Sequence, residues 1–197
     1  MNKNKVEFGL TNLHVAFEVD GTPGTYGVPR RVYGVTSLSL SQDSEDLEFE
    51  ADDNPTYYVE EISNGAEGDL SLATPPDWLF GLALGYKKDG KTGAIVEPKN
   101  VKKRKMALLF EGSGDANKVR RVYYGCTFGK PAEEFKTMGK QKEVKVTTFP
   151  TKIDGIDGQM SQKFYEDDEG YAEFFETAPA PSKEADLEPI EEETPTP

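Results

Sequence analysis

The chain has 197 residues, 36% of them hydrophobic and 30% charged, enough for one core that buries roughly two thirds of the surface the unfolded chain exposes. Its longest apolar stretch, Trp78 to Leu84, is far short of the ~20 residues a membrane-spanning helix needs, and Met1-Asn-Lys-Asn-Lys-Val-Glu-Phe8 carries charge with no apolar segment behind it, so neither a membrane partner nor a secretory signal is expected. Net charge is −13 but unevenly spread: twelve of the 36 acidic and one of the 23 basic residues fall in 166–197, leaving 24 against 22 in the body.

From the N-terminus, Val6, Phe8 and Leu10, then Leu13, Val15, Phe17 and Val19, form two alternating runs, a first strand with a bend near Thr11-Asn12. His14 lies in it without a partner at any catalytic spacing and is expected to be structural. Asp20 to Pro29 is turn chemistry, with three glycines and two prolines. Val35 to Leu40 alternates Leu38 and Leu40 against Ser37 and Ser39. Leu47-Glu-Phe-Glu50 alternates again and Thr56 to Ile62 suits another strand, so residues 41–55 are either a long acidic connection or an extended hairpin.

Gly68-Asp-Leu-Ser-Leu-Ala73 is a further strand, stopped by Thr74-Pro75-Pro76-Asp77. Thr74 as cap, Pro75 at the first helical position and Asp77 at the positive end of the dipole predict a helix start. Trp78, Leu79, Leu82 and Ala83 follow at helical spacing, with Gly85 as the C-terminal cap. Gly85-Tyr-Lys-Lys-Asp-Gly90-Lys91-Thr92 satisfies the phosphate-loop pattern G-x-x-x-x-G-K-[ST]. That chemistry needs a strand before the loop and a helix after it, so that amides converge on phosphate. Here the order is reversed, and Asp89 to Thr92 reads as a turn with extended chain after it.

Lys99, Lys102, Lys103, Arg104 and Lys105 form a basic run, which reads better as a solvated loop that discourages edge pairing than as a phosphate-binding patch. Next come three antiparallel strands in a meander: Met106 to Phe110, Arg120 to Phe128 and Lys142 to Phe149. In the second, Val122, Tyr124, Cys126 and Phe128 share a face at period two, opposite Arg121, Tyr123, Gly125 and Thr127. In the third, Val144 and Val146 alternate with Glu143 and Lys145. The Leu108/Leu109 run lacks alternation and suits a strand covered on both faces.

One cysteine and one histidine exclude an intrachain disulfide and a zinc site built mainly from those residues. Cys126, on an apolar strand face, is expected to be a small buried hydrophobe. Asp154-Gly-Ile-Asp-Gly158 is a pair of turns; it lacks the further carboxylates of a calcium loop. Phe164, Tyr165, Tyr171, Phe174 and Phe175 are too apolar for a free tail: they form either a last element packed on the body or an arm docked on another subunit. Residues 177–197, acidic and proline-rich, bury too little apolar surface to offset ordering entropy and are expected to be disordered or held by a partner, beyond a domain spanning 1–176. The elements sum to a mainly β protein with one short helix and long loops. No catalytic set, metal site or cofactor site stands out, and an enzyme is not expected.

Several blocks in series are familiar. Asn4-Lys-Val-Glu-Phe-Gly-Leu10 with Asn12-Leu-His14, Phe49-Glu-Ala-Asp52 before Tyr57-Tyr58, and Gly68 to Ala73 running into Pro76-Asp77 and Leu84-Gly85 resemble the major tail protein family of long-tailed, non-contractile bacteriophages. Ala107-Leu-Leu-Phe110, Arg120-Arg121 to Tyr124-Gly-Cys-Thr127, Pro131 and Val144-Lys-Val-Thr-Thr148 continue it in the same order, over roughly residues 3–176. The resemblance implies a β-sandwich or barrel-like fold with a flanking helix, and hexameric rings stacked into a tail tube that conducts DNA without binding it specifically. It further implies a virion protein assembled in the host cytoplasm, with tape measure, tail terminator and distal tail proteins as neighbours. A wall that does not grip phosphate must present like charge to it. Glu48, Glu50, Asp69 and Glu143 are the candidates to face the lumen, with Lys102 to Lys105 outside. Leu47 and Phe49, in the acidic stretch Ser41 to Pro55, are candidate anchors between rings. The alternative reading is a β-sandwich carbohydrate-binding or virion-surface adhesion module.

Overall fold

The computed structural model describes residues 8–51, 54–113, 118–133 and 145–187. In chain order the strands are β1 (Phe8–Phe17), β2 (Arg30–Arg31), β3 (Val35–Ala51), β4 (Asn54–Leu72), β5 (Lys87–Lys88), β6 (Ile95–Val96), β7 (Met106–Ser113), β8 (Arg120–Phe128), β9 (Thr147–Ile153) and β10 (Ser161–Phe164); the helix α1 (Asp77–Leu84) lies between β4 and β5. Eight strands form one antiparallel sheet in the order β2-β1-β7-β8-β9-β4-β3, with β10 on the same side of β8 as β9. β5 and β6 make a separate hairpin. The protein is therefore mainly β with one short helix, as expected. In place of two facing sheets, one continuous sheet curls until β3 comes within 8 Å, Cα to Cα, of β1.

The curl follows from where the apolar residues fall. Leu13, Val15 and Phe17 of β1, Leu70 and Leu72 of β4, Met106 and Leu108 of β7, Cys126 and Phe128 of β8, and Phe149 and Ile153 of β9 all enter one buried cluster. Period-two alternation gives each strand one apolar face, and a sheet with a single apolar face buries it by closing round it. Leu79, Ala83 and Leu84 of α1 complete that interior, and Phe80 packs 5.3 Å, centroid to centroid, from Phe149. The helix opens at Pro76, with Leu79 N–H donating to Pro76 O at 2.9 Å and no side-chain cap. Thr74 is thus not the cap: the second proline, not the first residue of the tetrapeptide, borders the helix, since Pro76 holds an extended ψ of 148°. Gly85 closes the helix in the left-handed region, at φ 77°.

A second apolar layer lies on the other face of β1, β7 and β8. Ala16, Ala107, Leu109, Val122 and Tyr124 are covered there by Phe174, which is fully buried, together with Tyr26, Phe164, Phe175 and Ala178. Leu108 and Leu109 therefore both lack solvent, which is why their run does not alternate. The C-terminal aromatics pack on the body, the first of the two alternatives. They are tied down by Arg120, whose guanidinium lies 3.9 Å from the Tyr171 ring centroid, donates to Tyr171 O and pairs with Glu111 at 3.4 Å. Tyr171 Oη donates to Lys118 O at 2.6 Å. Hydrogen bonding to the body continues past residue 176: Ser182 N–H donates to Gln159 Oε1 at 2.9 Å, and Gln162 Nε2 donates to Ser182 Oγ at 2.7 Å. Those side chains supply polar partners that composition does not reveal.

Three strand readings change. Val122 and Tyr124 do not share a face with Cys126 and Phe128, because β8 carries an extra residue against β7 between Met106↔Cys126 and Leu108↔Tyr123. Gly125, at φ 62°, takes the bulge. A Cβ there would lie 2.5 Å from Gly155 O. The strand thus feeds Val122 and Tyr124 to the outer layer, and Cys126 and Phe128 to the interior. The third meander strand is Thr147–Ile153, later than expected. Lys145 and the exposed Val146 precede it, and residues 142–144 lie outside the described residues. Finally, residues 41–51 and 54–55 are strand: β3 and β4 form an extended hairpin, not a loop.

Candidate assembly surface

Reactive groups sit where they are expected to be inert. Cys126 is fully buried, its Sγ–H donates to Tyr123 O at 3.4 Å, and burial pushes its thiol pKa up. His14 bonds through Nδ1 to Asn12 O at 2.8 Å and packs against the tilted Phe175 ring with centroids 4.5 Å apart. Desolvation is the largest influence on it and holds its pKa below 6.5. The bend expected at Asn12 is present, with that residue at φ 56°. In the phosphate-loop match, Asp89 Oδ1 accepts the amides of Lys91 at 2.7 Å and Thr92 at 3.1 Å, so this chain's own carboxylate occupies donors that a phosphate would need. The match is the β5/β6 turn. Among the described residues, no group of three or more His, Cys, Asp or Glu side chains is placed to hold a metal ion.

What the fold does build is surface. β4 pairs with β9 only over Ala66–Leu72, so from Gly65 outward β3 and β4 pair with each other alone among the described strands. The departure point is a bulge, with the register shifting between Asp43↔Gly65 and Ser44↔Ser63. Gly65 adopts φ 100°, and a Cβ on it would lie 2.1 Å from Ile153 O. Asp43 to Ala51 is nine residues, about 30 Å of two-stranded ribbon at ~3.3 Å per residue. Leu47 stands opposite Glu60, Glu48 opposite Val59 and Phe49 opposite Tyr58 in this arm, and Glu50 follows in β3.

Asp69 is not in the arm. It lies exposed on the body, between Ser39 and Pro150 in register, on the face opposite Leu70. The structure therefore separates it from Glu48 and Glu50 along the hairpin; Glu143 lies outside the described residues. Around Asp69 the sheet's outer face is polar, with Ser71 Oγ bonded to Thr148 Oγ1 at 3.0 Å and Lys152 Nζ 3.8 Å from Glu67.

The basic run sits at the carbonyl end of α1, where cations are favoured: Arg104 N–H donates to Ala83 O at 3.3 Å. Arg104 also donates to Glu18 O at 2.9 Å, lies 5.4 Å from the Phe17 ring centroid and reaches Asp20 at 4.0 Å. Lys105 lies 4.0 Å from Asp154. Part of this charge is thus committed within the chain, while Lys102 and Lys103 are exposed. Composition missed a second basic pair, Arg30 and Arg31 on the edge strand β2. The adjacent Arg-Arg between Pro29 and Tyr33 was its only signal.

No protein-family model matches the chain, and no curated protein does. Solved structures do align. A chain of the baseplate of the anti-feeding prophage, from a six-fold symmetrised cryo-EM structure, is 9% identical with a TM-score of 0.39, covering 83% of this chain and 97% of that one. A chain of the tube-terminating cap of the anti-feeding prophage is 8% identical with a TM-score of 0.32, covering 83% and 96%.

Proposed function

We propose that this chain is a structural subunit of a phage-type tail, and that six copies form a ring whose stacking makes a DNA-conducting tube. The β3/β4 arm carries this reading. A ribbon about 30 Å long with no further strand partner among the described residues leaves two rows of backbone donors and acceptors unpaired by them, and isolated two-stranded hairpins are marginal in water. Neighbouring copies would satisfy both demands. The sheet supports the same conclusion, since it ends in edge strands at β2 and β3 that continuation across subunits would cover. Family resemblance in the sequence points the same way. In this assembly Leu47 and Phe49 anchor the arm between rings. Glu48, Glu50, Asp69 and Glu143 face the channel with Lys102 to Lys105 outside, and tape measure, terminator and distal tail proteins meet the tube's ends and interior.

Electron microscopy across a concentration series, with light scattering on the same samples, tests the reading. Full-length protein is expected to give six-fold rings or tubes. A variant in which an Asn-Gly turn replaces residues 43–65, joining the paired Gln42 and Ala66, is expected to keep the wild-type near-UV spectrum and to form no tubes. Unchanged polymerisation of that variant would remove the arm from the assembly. A reconstruction with Lys102 to Lys105 on the inner wall would overturn the charge assignment. A wild-type monomer that binds glycans on an array would transfer the protein to the carbohydrate-binding class.

A further inference from the structure

Among the described strands the outer edge of β2 is open: β1 is its one neighbour, through His14↔Arg31 and Val15↔Arg30. Arg30 and Arg31 are both exposed there, and among the described residues neither has a carboxylate partner. Arg30 rests 5.8 Å from the Trp78 ring centroid and Arg31 4.8 Å from that of Tyr33. Flanking them, Val28 is 77% and Tyr33 70% exposed, the two most exposed large hydrophobic side chains among the described residues. An arginine stacked on an aromatic ring keeps its planar fork pre-organised for carboxylates. The edge therefore offers two oriented cations, two apolar contacts and unpaired backbone.

The same chain carries a complementary strand pair. Residues 43–61 hold nine acidic residues and no Lys or Arg, interspersed with Leu47, Phe49, Tyr57 and Tyr58. That segment lies far along the chain from its own β2: β3 starts at Val35, four residues after Arg31, and Glu45 is ten residues further on, about 33 Å along the strand. Resting on the assembly reading above, we propose that the β2 edge is the receptor for the acidic β3/β4 arm of a second copy. Arg30 and Arg31 pair with arm carboxylates, while Val28 and Tyr33 meet the arm's apolar side chains. Surface ion pairs are weak singly; repetition at every subunit of a ring multiplies them.

Charge exchange in the full-length protein tests this. Sedimentation velocity compares wild type, Arg30→Glu/Arg31→Glu, an arm variant with Glu45→Lys, Asp46→Lys and Glu61→Lys, and all five substitutions in one chain. Each partial set is expected to weaken self-association roughly ten-fold or more. The five-fold variant, and an equimolar mixture of the two partial variants, should regain association, an outcome that a merely destabilised fold cannot produce. Wild-type association by Arg30→Glu/Arg31→Glu would overturn the inference and leave the tube reading standing. Rescue in dimers that never form six-fold rings would support the inference and overturn the tube reading. A wild type that stays monomeric at every concentration would sink both. Loss in the arginine variant of binding to a short DNA duplex, with self-association intact, would reassign the edge to phosphate.

Discussion

At the scale of the residue, Gly125 decides more than any apolar side chain near it. Period-two reading of Arg120 to Phe128 puts Val122, Tyr124, Cys126 and Phe128 together, yet the bulge at Gly125 divides them between two cores. An isolated glycine inside the strand is the local signal of a bulge, but what it makes room for, Gly155, lies thirty residues away. Gly125→Ala should lower stability by about 1–3 kcal/mol from backbone strain alone, before the collision with Gly155 O is counted. Urea denaturation measures it. A loss of a few tenths would mean that the strand can run regularly and that the bulge is not imposed. Cys126 and His14 show the opposite case, where the sequence context, an apolar strand with no chemical partner in range, was sufficient.

Among the elements, the C-terminal strap from β10 to Ser182 converts a one-faced sheet into one buried on both faces at β1, β7 and β8. Its aromatics were visible in the sequence, but not their destination, since packing on the body and docking on a neighbour demand the same apolar residues. Arg120 is what fixes it. His14, beneath Phe175, makes the strap sensitive to acid. Burial lowers its folded-state pKa below 6.5, against the opposing hydrogen bond to Asn12 O, so the unfolded chain takes up the proton first as pH falls. The contribution to stability is complete above about 6.5 and is lost as pH drops through the folded value. Denaturation midpoints at pH 7.5 and pH 5 should therefore differ more in wild type than in His14→Gln, which keeps a donor for Asn12 O. Equal differences would remove His14 from the strap's pH response.

Across the whole molecule, the interior cluster and the outer layer share the strands β1, β7 and β8, so neither can be lost alone. Trp78 fluorescence, reporting the interior, and near-UV tyrosine signal, dominated in the outer layer by the fully buried Tyr124, should therefore show coincident unfolding midpoints. Separate midpoints would mean that the strap is an independent unit. Among the described strands, the β2 edge and the β3/β4 arm both carry unpaired backbone, and both proposals concern how copies of the chain use them.

The sequence by itself determined the mainly β class, the single short helix closed by Gly85, the turn at Asp89 to Thr92 and the inertness of Cys126 and His14. Each depends on neighbours a few residues away, through alternation, capping or turn chemistry. Only the tertiary structure decided that residues 41–51 and 54–55 belong to a paired hairpin, that β8 changes face at Gly125, that the C-terminal aromatics fold back, and that Arg30 and Arg31 stand at an open edge. Those outcomes depend on which strands become neighbours, and strand pairing across tens of residues leaves no local periodicity to read.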